Sequence, residues 1–345
     1  MPNSMVYNVN DSATQVLAAK QVKENIFVSL IHRNGKGINQ QEETNASTIR
    51  MLKAPVLYGD ARELRSGHTN TPAKNSAWFN TDDVGMQNVE EYDLNLLYIF
   101  DKMVDIPEVQ EDMVPINVFE AATKNIGGRI STEINASTIA VQLAERFNEN
   151  KDVVVIGDED KATYNAVMSA SIKLDDGDEA KGIQTFPFEE RQLIMRPAFR
   201  QQLMSETGVL LGGSNYAQSM IAKGAISPDA SKDYGNMYVG EIDMVPCFIS
   251  PKAIWSRANT WAGGGTPFDN VEAFMCAASA TDRGISTMDY IKVIDSPNGA
   301  GKRLQPKVRW GVNVCYPSGI VPILKNGTAA PEEDLTVSAP GNNRT

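Results

Sequence analysis

Lys307-Val-Arg-Trp-Gly-Val-Asn-Val-Cys-Tyr-Pro-Ser-Gly-Ile-Val-Pro-Ile323 is the stretch that decides how this chain is interpreted. Its apolar, β-branched residues predict two short strands, Val308–Cys315 and Ile320–Ile323, joined by a turn at 317–319, where proline and glycine are both turn residues. Nothing in this stretch has a catalytic pattern. We expect a hairpin that closes a large single-chain fold. Residues 326–345 are rich in Asn, Gly, Pro, Glu and Thr, and this composition predicts a disordered, flexible tail.

The composition is that of an ordinary globular protein. The chain has 345 residues, of which 42% are hydrophobic and 22% charged. This length allows one large or two ordinary domains with a sizeable core. No run of 18 apolar residues exists, so we expect no membrane span. The start, Met1-Pro-Asn-Ser-Met5, has no charged and then apolar signal pattern, which favours synthesis and retention in a cytoplasm.

The net charge of −11 is unevenly distributed. Residues 145–190 carry 12 acidic against 5 basic residues, or −7. Residues 1–40 carry four basic residues (Lys20, Lys23, Arg33 and Lys36) against Asp11 and Glu24, or +2. An acidic chain does not bind nucleic acid through counterion release over its whole surface. It is compatible with enclosing nucleic acid without adhering to it.

Cysteine and histidine usage argues against disulfide, zinc and histidine-based catalytic sites. The three cysteines, Cys247, Cys276 and Cys315, have apolar neighbours, so buried free thiols are favoured over a disulfide framework. The two histidines, His32 and His68, have no cysteine or second histidine at ligand spacing. We therefore predict no metal site and no cofactor.

The strongest helical pattern lies in the first half of the chain. After Pro115, apolar and small residues recur at three- and four-residue steps, which predicts a helix over Phe119–Phe147. Such a helix is about 43 Å long at 1.5 Å per residue. Gly127-Gly128 within it predicts a bend or the close approach of another backbone. Before this helix, partial alternation over Glu90–Met103 predicts a strand, and the segment 104–113 predicts a short helix.

The remaining predicted elements alternate without a regular order. Residues 1–45 predict either an extended arm with one short element or an ordinary, loosely packed N-terminus. Residues 46–87 predict a long two-stranded excursion, which is uncommon unless a neighbouring subunit covers it. A flexible loop is expected at Asn259–Phe268. Further strands are predicted at Val153–Ile156, Gln192–Met195, Tyr238–Ile242, Val245–Ser250, Met275–Ala280 and Tyr290–Asp295, and helices at Asp160–Ile172, Pro197–Ser205 and Tyr216–Lys223. This order has no βαβ rhythm, so the predicted fold class is α+β.

Three motifs that suggest chemistry have simpler structural interpretations. Gly208–Ser214 lacks the lysine and the spacing of phosphate-binding loops, which favours a structural turn. Asp158–Asp160 and Asp175–Glu179 lack the twelve-residue spacing of calcium loops, which favours solvated acidic loops over adventitious divalent binding. The Gly-x-Ser-x-Gly elbow that carries a serine nucleophile is absent from the sequence.

The tryptophans are the remaining candidates for a binding role. Trp255, Trp261 and Trp310 have rings that suit ligand stacking, but anchors in a core or a subunit interface are commoner. We therefore predict no catalytic, cofactor-binding or metal-binding residues, and no enzymatic activity.

The order of the predicted elements resembles the Hong Kong 97-like fold of tailed-bacteriophage major capsid proteins. Two stretches also resemble the family in their amino-acid sequence. Arg191-Gln-Leu-Ile-Met-Arg-Pro-Ala-Phe-Arg-Gln-Gln-Leu203 resembles the family's strand, proline and helix. Tyr238-Val-Gly-Glu-Ile-Asp-Met-Val-Pro-Cys-Phe-Ile-Ser250 resembles its glycine-containing strand and the Val- and Pro-rich strand that follows.

The resemblance covers nearly the whole chain and implies a division into named regions. Those regions are an N-terminal arm (1–45), an E-loop (46–87), a peripheral domain with a long spine helix (88–160 and 275–300), an axial domain (161–274 and 301–325) and a flexible tail (326–345).

Two departures from the pattern of this family are visible. The chain does not carry the charged helical scaffold of roughly a hundred residues that is fused at the N-terminus in some members, which resembles members that use a separate scaffolding protein. Some members crosslink a lysine to an asparagine of another subunit. Lys74 and Asn75 lie in the expected E-loop, but nothing identifies a partner for either residue, so no crosslink is predicted.

The resemblance implies a structural function. Many copies are expected to form hexamers and pentamers of an icosahedral shell around packaged double-stranded DNA. Portal, scaffolding and decoration proteins are the expected partners, with no sequence-specific DNA binding and no membrane. The expected location is the virion, after synthesis in the host bacterial cytoplasm.

Three alternatives remain open at this point. The first is an encapsulin-like nanocompartment shell, which shares the fold class and encloses a cargo enzyme. The second is an α/β enzyme with a carboxylate site at the acidic loops, for which a concave pocket with converging carboxylates is expected. The third is a tail tube or sheath protein, which forms helical tubes rather than closed shells.

Overall fold

The computed structural model describes the regular elements of the chain and many of their connections. The described residues are 42–43, 48–53, 90–95, 97–106, 118–149, 152–177, 185–207, 237–242, 245–286, 291–295 and 301–340. Several predictions fall on residues outside these ranges. They are the N-terminal arm and the E-loop apart from two short strands, both histidines, Lys74 and Asn75, the Gly208–Ser214 segment and the helix at Tyr216–Lys223.

Strands and helices alternate irregularly along the chain. In order they are β1 (Glu42–Glu43), β2 (Thr48–Lys53), β3 (Glu90–Asn95), β4 (Tyr98–Phe100), β5 (Val104–Ile106), α1 (Val118–Glu149), β6 (Val154–Val155), α2 (Ala162–Asp176), β7 (Arg191–Met195), α3 (Pro197–Thr207), β8 (Tyr238–Ile242), β9 (Val245–Ile249), α4 (Lys252–Trp261), β10 (Val271–Ala277), β11 (Thr281–Ser286), β12 (Ile291–Asp295), β13 (Lys302–Pro306), β14 (Val308–Val314) and β15 (Ile320–Leu324). The predicted α+β class is confirmed.

A six-stranded mixed sheet forms one side of the core. Its strand order is β6-β15-β10-β7-β9-β8. β15 and β7 flank β10 as antiparallel neighbours, whereas β7 pairs with β9 in parallel. Every residue of β15 is buried. Burial on both faces explains why its sequence, Ile-Val-Pro-Ile-Leu, is apolar throughout instead of alternating.

Three smaller sheets lie elsewhere in the fold. The four-stranded sheet has the order β1-β11-β14-β4, and the three-stranded sheet has the order β12-β13-β5. β2 and β3 pair antiparallel as a ribbon, with Thr48 opposite Asn95 and Lys53 opposite Glu90. The residues between these two strands are those of the expected E-loop.

Helix α1 is the central element of the core. Its 32 residues correspond to about 48 Å, and the predicted helix is confirmed. Residues 134–144 are all buried, so α1 is enclosed on every side there. Its polar side chains are accommodated locally, because Ser137 and Thr138 donate hydrogen bonds to the Ile134 carbonyl. A Cβ added at Gly128 meets no heavy atom within 4 Å, so among the residues that the structure describes no other backbone packs against that glycine.

The two closing strands are not a hairpin, contrary to the sequence prediction. β14 pairs with β11 and β4 in the four-stranded sheet, whereas β15 pairs with β10 and β6 in the six-stranded sheet. The predicted turn is present as a short 3₁₀ helix at Pro317–Gly319. This turn carries the chain from one sheet to the other, and residue alternation cannot reveal which partner a strand will choose.

Other local predictions also differ from the structure. The segment 104–113 was expected to be helical, but Val104–Ile106 is strand β5, held by pairing with β13. The strand expected over Glu90–Met103 is divided into β3 and β4, which belong to different sheets. The loop expected from Asn259 overlaps α4, which ends at Trp261. The glycines of that loop, 263 to 265, have φ of 87°, 89° and 74°, a conformation that ends the helical segment.

The tail is also ordered over most of its length, contrary to the prediction from composition. Residues 326–340 lie against the core, with Leu335, Val337 and Ala339 packed on it. The Ser338 N–H donates to the Trp261 carbonyl at 2.9 Å. The prediction rested on the polar residues of the tail. Apolar residues at 335, 337 and 339 alternate with them, and these are the side chains that pack on the core. Residues 341–345 lie outside the described part of the chain.

The sheets divide the chain differently from the expected domain boundaries. The boundary expected between residues 274 and 275 falls inside β10. Strand β6, expected in the peripheral domain, pairs with β15 of the expected axial domain. The change of sheet occurs between β10 and β11, at the 3₁₀ turn Ala278–Ala280. Among the described helices, none is both long and apolar enough to cross a membrane.

Candidate functional site

One cavity has the features expected of a carboxylate site. Its volume is about 410 Å³, and it lies between the loop after β6, the N-terminus of α2, helix α3 and the residues after β15. Acidic side chains dominate its polar lining: Asp158, Glu159, Glu206 and Glu272, with Lys325 as the lysine of the lining. The structure thus brings the first acidic loop to a cavity. Asp175 of the second loop does not line it.

Glu206 caps the N-terminal end of helix α2. Helix α2 begins after Lys161, which has left-handed backbone angles and makes no side-chain capping bond. Glu206 of α3 replaces that cap, because its Oε2 accepts from the N–H groups of Thr163 (2.9 Å) and Tyr164 (3.1 Å). A carboxylate at a helix N-terminus satisfies unpaired donors and complements the helix dipole. Glu206 therefore joins α3 to α2.

Two other carboxylates of the cavity are held by asparagine amides. Asn326 donates to Asp158, which ties the tail to the loop after β6. Asn165 donates to Glu159 at 3.0 Å. These contacts fix the local chain path. Asp158 and Glu159 are thus occupied by structural hydrogen bonds rather than directed at a ligand.

Metal chemistry finds no support in the described part of the chain. Within those residues, no group of three or more His, Cys, Asp or Glu side chains is placed to hold an ion. Asp175 is bound to Arg191. The rest of that acidic loop, at 178 and 179, lies outside the described residues.

Arg191 organises the region between α2 and β7. Its side chain is fully buried, and its guanidinium donates to the Phe186 carbonyl and to the carbonyl and hydroxyl of Ser171. The guanidinium carbon lies 3.9 Å from the centroid of the Phe188 ring, a cation–π contact. The sequence analysis named Arg191 only as the first residue of the stretch that resembles the capsid family. No pattern of neighbouring residues indicated that its side chain is buried.

The cysteines are structural. Cys247 and Cys276 are free and buried, as predicted, and Cys315 is a free thiol that is partly buried. Burial raises the pKa of the Cys276 thiol far above its ordinary value, which keeps it protonated and unreactive. The Cys315 thiol donates to an Asp282 carboxylate oxygen at 2.9 Å.

The three predicted tryptophan candidates are core anchors. Trp261 and Trp310 have ring centroids 6.1 Å apart, and Tyr98 packs edge-on to Trp261 at 4.7 Å. Trp310 donates its indole N–H to Ser137 of α1 at 2.8 Å. Trp255 is fully buried in a separate contact with Phe274. This places all three within the packing of the chain rather than in a ligand site.

The described surface carries large apolar side chains that the sequence analysis did not single out. They are Leu97, Ile99, Met103, Val155, Ile172 and Phe188, each between 44% and 75% exposed. One signal pointed to the first two. Residues 96–100, Leu-Leu-Tyr-Ile-Phe, are apolar without alternation, which is typical of a strand covered on both faces. Within the described residues, Tyr98 and Phe100 pack on the core, whereas Leu97 and Ile99 on the other face are exposed.

Comparison with known proteins identifies the fold. No family model and no curated protein matches this sequence. Among solved structures, the capsid of Ralstonia phage GP4 matches with a TM-score of 0.53 and 10% identity, covering 90% of this chain and 88% of that chain. The capsid of Helicobacter pylori bacteriophage KHP30 matches with a TM-score of 0.50 and 12% identity, covering 88% and 90%. A virus-like particle from Pyrococcus furiosus matches with a TM-score of 0.45 and 9% identity, covering 90% and 98%.

The predicted Hong Kong 97-like capsid fold is therefore confirmed. At identities of 10% and 12% the likeness to the two phage capsids concerns the fold. Functional conclusions have to rest on this fold together with the chemistry of the chain.

Proposed function

We propose that this chain is the major capsid protein of a tailed bacteriophage. It forms the hexamers and pentamers of an icosahedral shell that encloses packaged double-stranded DNA. The observation that carries this proposal is the match in fold to the Ralstonia phage GP4 capsid along 90% of the chain. The coverage matters because the match extends over most of both chains instead of one shared motif.

Each part of the fold receives a role under this proposal. Helix α1, with the four- and three-stranded sheets, corresponds to the peripheral domain and its spine helix. The six-stranded sheet, with α2 and α3, corresponds to the axial domain. The boundary moves from residue 275 to the turn Ala278–Ala280, where the strands change sheet. Residues 1–45 and 46–87 remain the proposed N-terminal arm and E-loop.

The chemistry of the chain supports a structural function over catalysis. The acidic cavity uses Glu206, Asp158 and Glu159 to join α3, the tail and α2. An enzyme needs such groups available to a substrate. The proposed protein is therefore not an enzyme and requires no cofactor.

The charge of the chain suits a shell around nucleic acid. With a net charge of −11, the subunit lacks the overall positive charge that binds DNA through released counterions. Packaged DNA is enclosed without sequence-specific contacts. Portal, scaffolding and decoration proteins are the further proposed partners. The protein is located in the virion after synthesis in the host bacterial cytoplasm.

Electron microscopy of the purified protein, together with mass measurement of its particles, tests the proposal. The expected result is closed icosahedral shells of uniform diameter, formed by the chain alone or with a scaffolding protein. Helical tubes contradict the proposal and favour a tail protein. Shells that contain a cargo enzyme, and neither DNA nor a portal protein, favour a nanocompartment. A monomer or dimer under every condition overturns the shell function altogether.

A further inference from the structure

Two surfaces of this chain are complementary in both polarity and charge. One, the basic patch, consists of Leu97, Ile99, Lys307 and Arg309. The other, the acidic patch, consists of Ile172, Asp175, Asp176 and Phe188. They lie on different parts of the fold, because the basic patch belongs to the four-stranded sheet and the acidic patch flanks the six-stranded sheet.

The basic patch combines exposed apolar area with unneutralised positive charge. Leu97 is 75% exposed and Ile99 is 48% exposed. Arg309 of β14 lies directly opposite Ile99 of β4, so their side chains project from the same face of the sheet. Lys307 is exposed two residues before Arg309. Within the described part of the chain, neither basic residue forms an ion pair, and β4 is an edge strand of its sheet.

The sequence segment that carries Lys307 and Arg309 is basic. Residues 301–325 contain five basic residues (Lys302, Arg303, Lys307, Arg309 and Lys325) and no Asp or Glu. Lys302 is paired with Asp295, and Arg303 with Asp105. Lys307 and Arg309 therefore carry the positive charge that this face presents outward.

The acidic patch has the reverse charge beside a similar apolar area. Ile172 on α2 is 57% exposed, and Phe188 is 44% exposed. Arg191 links the elements that carry them, because its guanidinium packs on the Phe188 ring and binds Ser171 and Asp175, which lie one residue before and three residues after Ile172 on α2. The contact beneath the ring fixes its position, so the aromatic side chain is presented with little loss of freedom on binding.

Negative charge lies beside this apolar area at the end of α2. Asp176 is exposed at the last residue of α2, beside Asp175. Both lie in the segment 145–190, whose balance of 12 acidic to 5 basic residues is −7. A surface of this composition selects a partner with apolar side chains flanked by Lys and Arg.

We propose that the basic patch of one copy of this chain docks on the acidic patch of a second copy. The contact is heterologous, since different surfaces meet, and repeated heterologous contacts form closed rings when the rotation between copies closes. Leu97 and Ile99 pack against Ile172 and Phe188, while Lys307 and Arg309 face Asp176 and the outer side of Asp175. This inference deepens the proposed shell function and rests on it.

A charge-swap experiment tests the contact. The variants are Arg309→Glu, Asp176→Lys and the two combined, each assembled under the conditions in which the wild type forms shells. Lys at position 176 suits the C-terminal end of α2, so that change should not impair folding. Lys292→Glu is the matched control, because it reverses an exposed charge on β12 outside both patches. Circular dichroism and thermal unfolding of the unassembled chains check that all variants fold.

Each single reversal is expected to lower the particle yield about tenfold, because like charges then face each other across the contact. The double variant should restore the yield to within about threefold of the wild type, and Lys292→Glu should assemble normally. Leu97→Ser and Ile172→Ser should each weaken assembly at high salt as well, because their contribution is apolar.

The possible results separate this inference from the proposed function. If the wild type forms shells and both single reversals assemble normally, the patches do not join copies, although the shell function stands. If both singles fail and the double variant is not restored, the pairing of these two patches is wrong. If the wild type forms no assembly of any kind, both proposals are overturned together.

Discussion

Glu133 of α1 accepts two hydrogen bonds from the Nε–H of Arg257 on α4, at 2.7 and 2.9 Å. The same carboxylate accepts a hydrogen bond from the indole N–H of Trp261, one turn further along α4, at 2.9 Å. The Glu133 side chain is 13% exposed and that of Arg257 is 37% exposed. Glu133 thus joins α1 to α4, the helix that contains Trp255 and Trp261.

Glu133→Gln should destabilise the folded chain by about 1–3 kcal/mol, because hydrogen bonds to charged groups are stronger than neutral ones and the Trp261 indole lies in a buried position. Denaturant unfolding of the unassembled chain measures this change. Glu120→Gln is the control, since Glu120 and Lys124 form an exposed i,i+4 pair that is worth about 0.3–0.5 kcal/mol. Equal losses in the two variants would contradict a special role for Glu133.

Gly319→Ala should destabilise the turn between the two large sheets by about 1–3 kcal/mol, since overpacking of a close contact has a cost of this size. A Cβ at this position lies 2.6 Å from the Ala280 Cβ and 3.0 Å from Phe186 Cε1. The measurement is again the free energy of unfolding. Gly128→Ala provides the opposite case, because its added Cβ meets nothing within 4 Å and alanine favours the helix by about 1 kcal/mol. A stable Gly319→Ala variant would show that the two neighbours can move apart.

Asn148→Ala should release the tail from the end of α1. The Asn148 amide donates to the Leu335 carbonyl at 2.9 Å, and its oxygen accepts from the Leu335 N–H at 2.8 Å. Both bonds are lost in the variant, so residues 326–340 should show faster amide exchange and earlier proteolytic cleavage than in the wild type. Asn165→Ala removes an exposed amide that does not contact the tail, and it should leave both rates unchanged. Unchanged protection in Asn148→Ala would mean that apolar packing alone holds the tail.

Asp105 should titrate below the ordinary carboxyl range. The side-chain hydrogen bond from Arg303 lowers its pKa in the folded chain. A lowered pKa stabilises the charged form, so the link between β5 and β13 is complete above the ordinary Asp pKa of about 3.9 and is lost as the pH falls through the lower folded value. NMR titration of the Asp105 carboxyl in wild type and in Arg303→Gln measures this directly. An unchanged pKa in the variant would remove Arg303 as the cause.

The sequence by itself determined the elements whose signals are local. Helix α1 follows from apolar residues at helical spacing, and it was predicted within two residues at each end. β7 and α3 follow from an apolar run and a proline at the first helical position. The resemblance of the element order to phage capsid proteins then turned the interpretation from chemistry towards architecture.

Only the tertiary structure decided how these elements combine. Val308–Val314 and Ile320–Leu324 look like two arms of a hairpin, because both are apolar strands beside a proline- and glycine-containing turn. They belong to different sheets, and Gly319 allows the chain between them to pass close to Ala280 and Phe186. Strand pairing, the ordered tail and the two complementary patches all depend on contacts between residues far apart in the chain. The stretch Lys307–Ile323 therefore connects the two sheets rather than closing the fold.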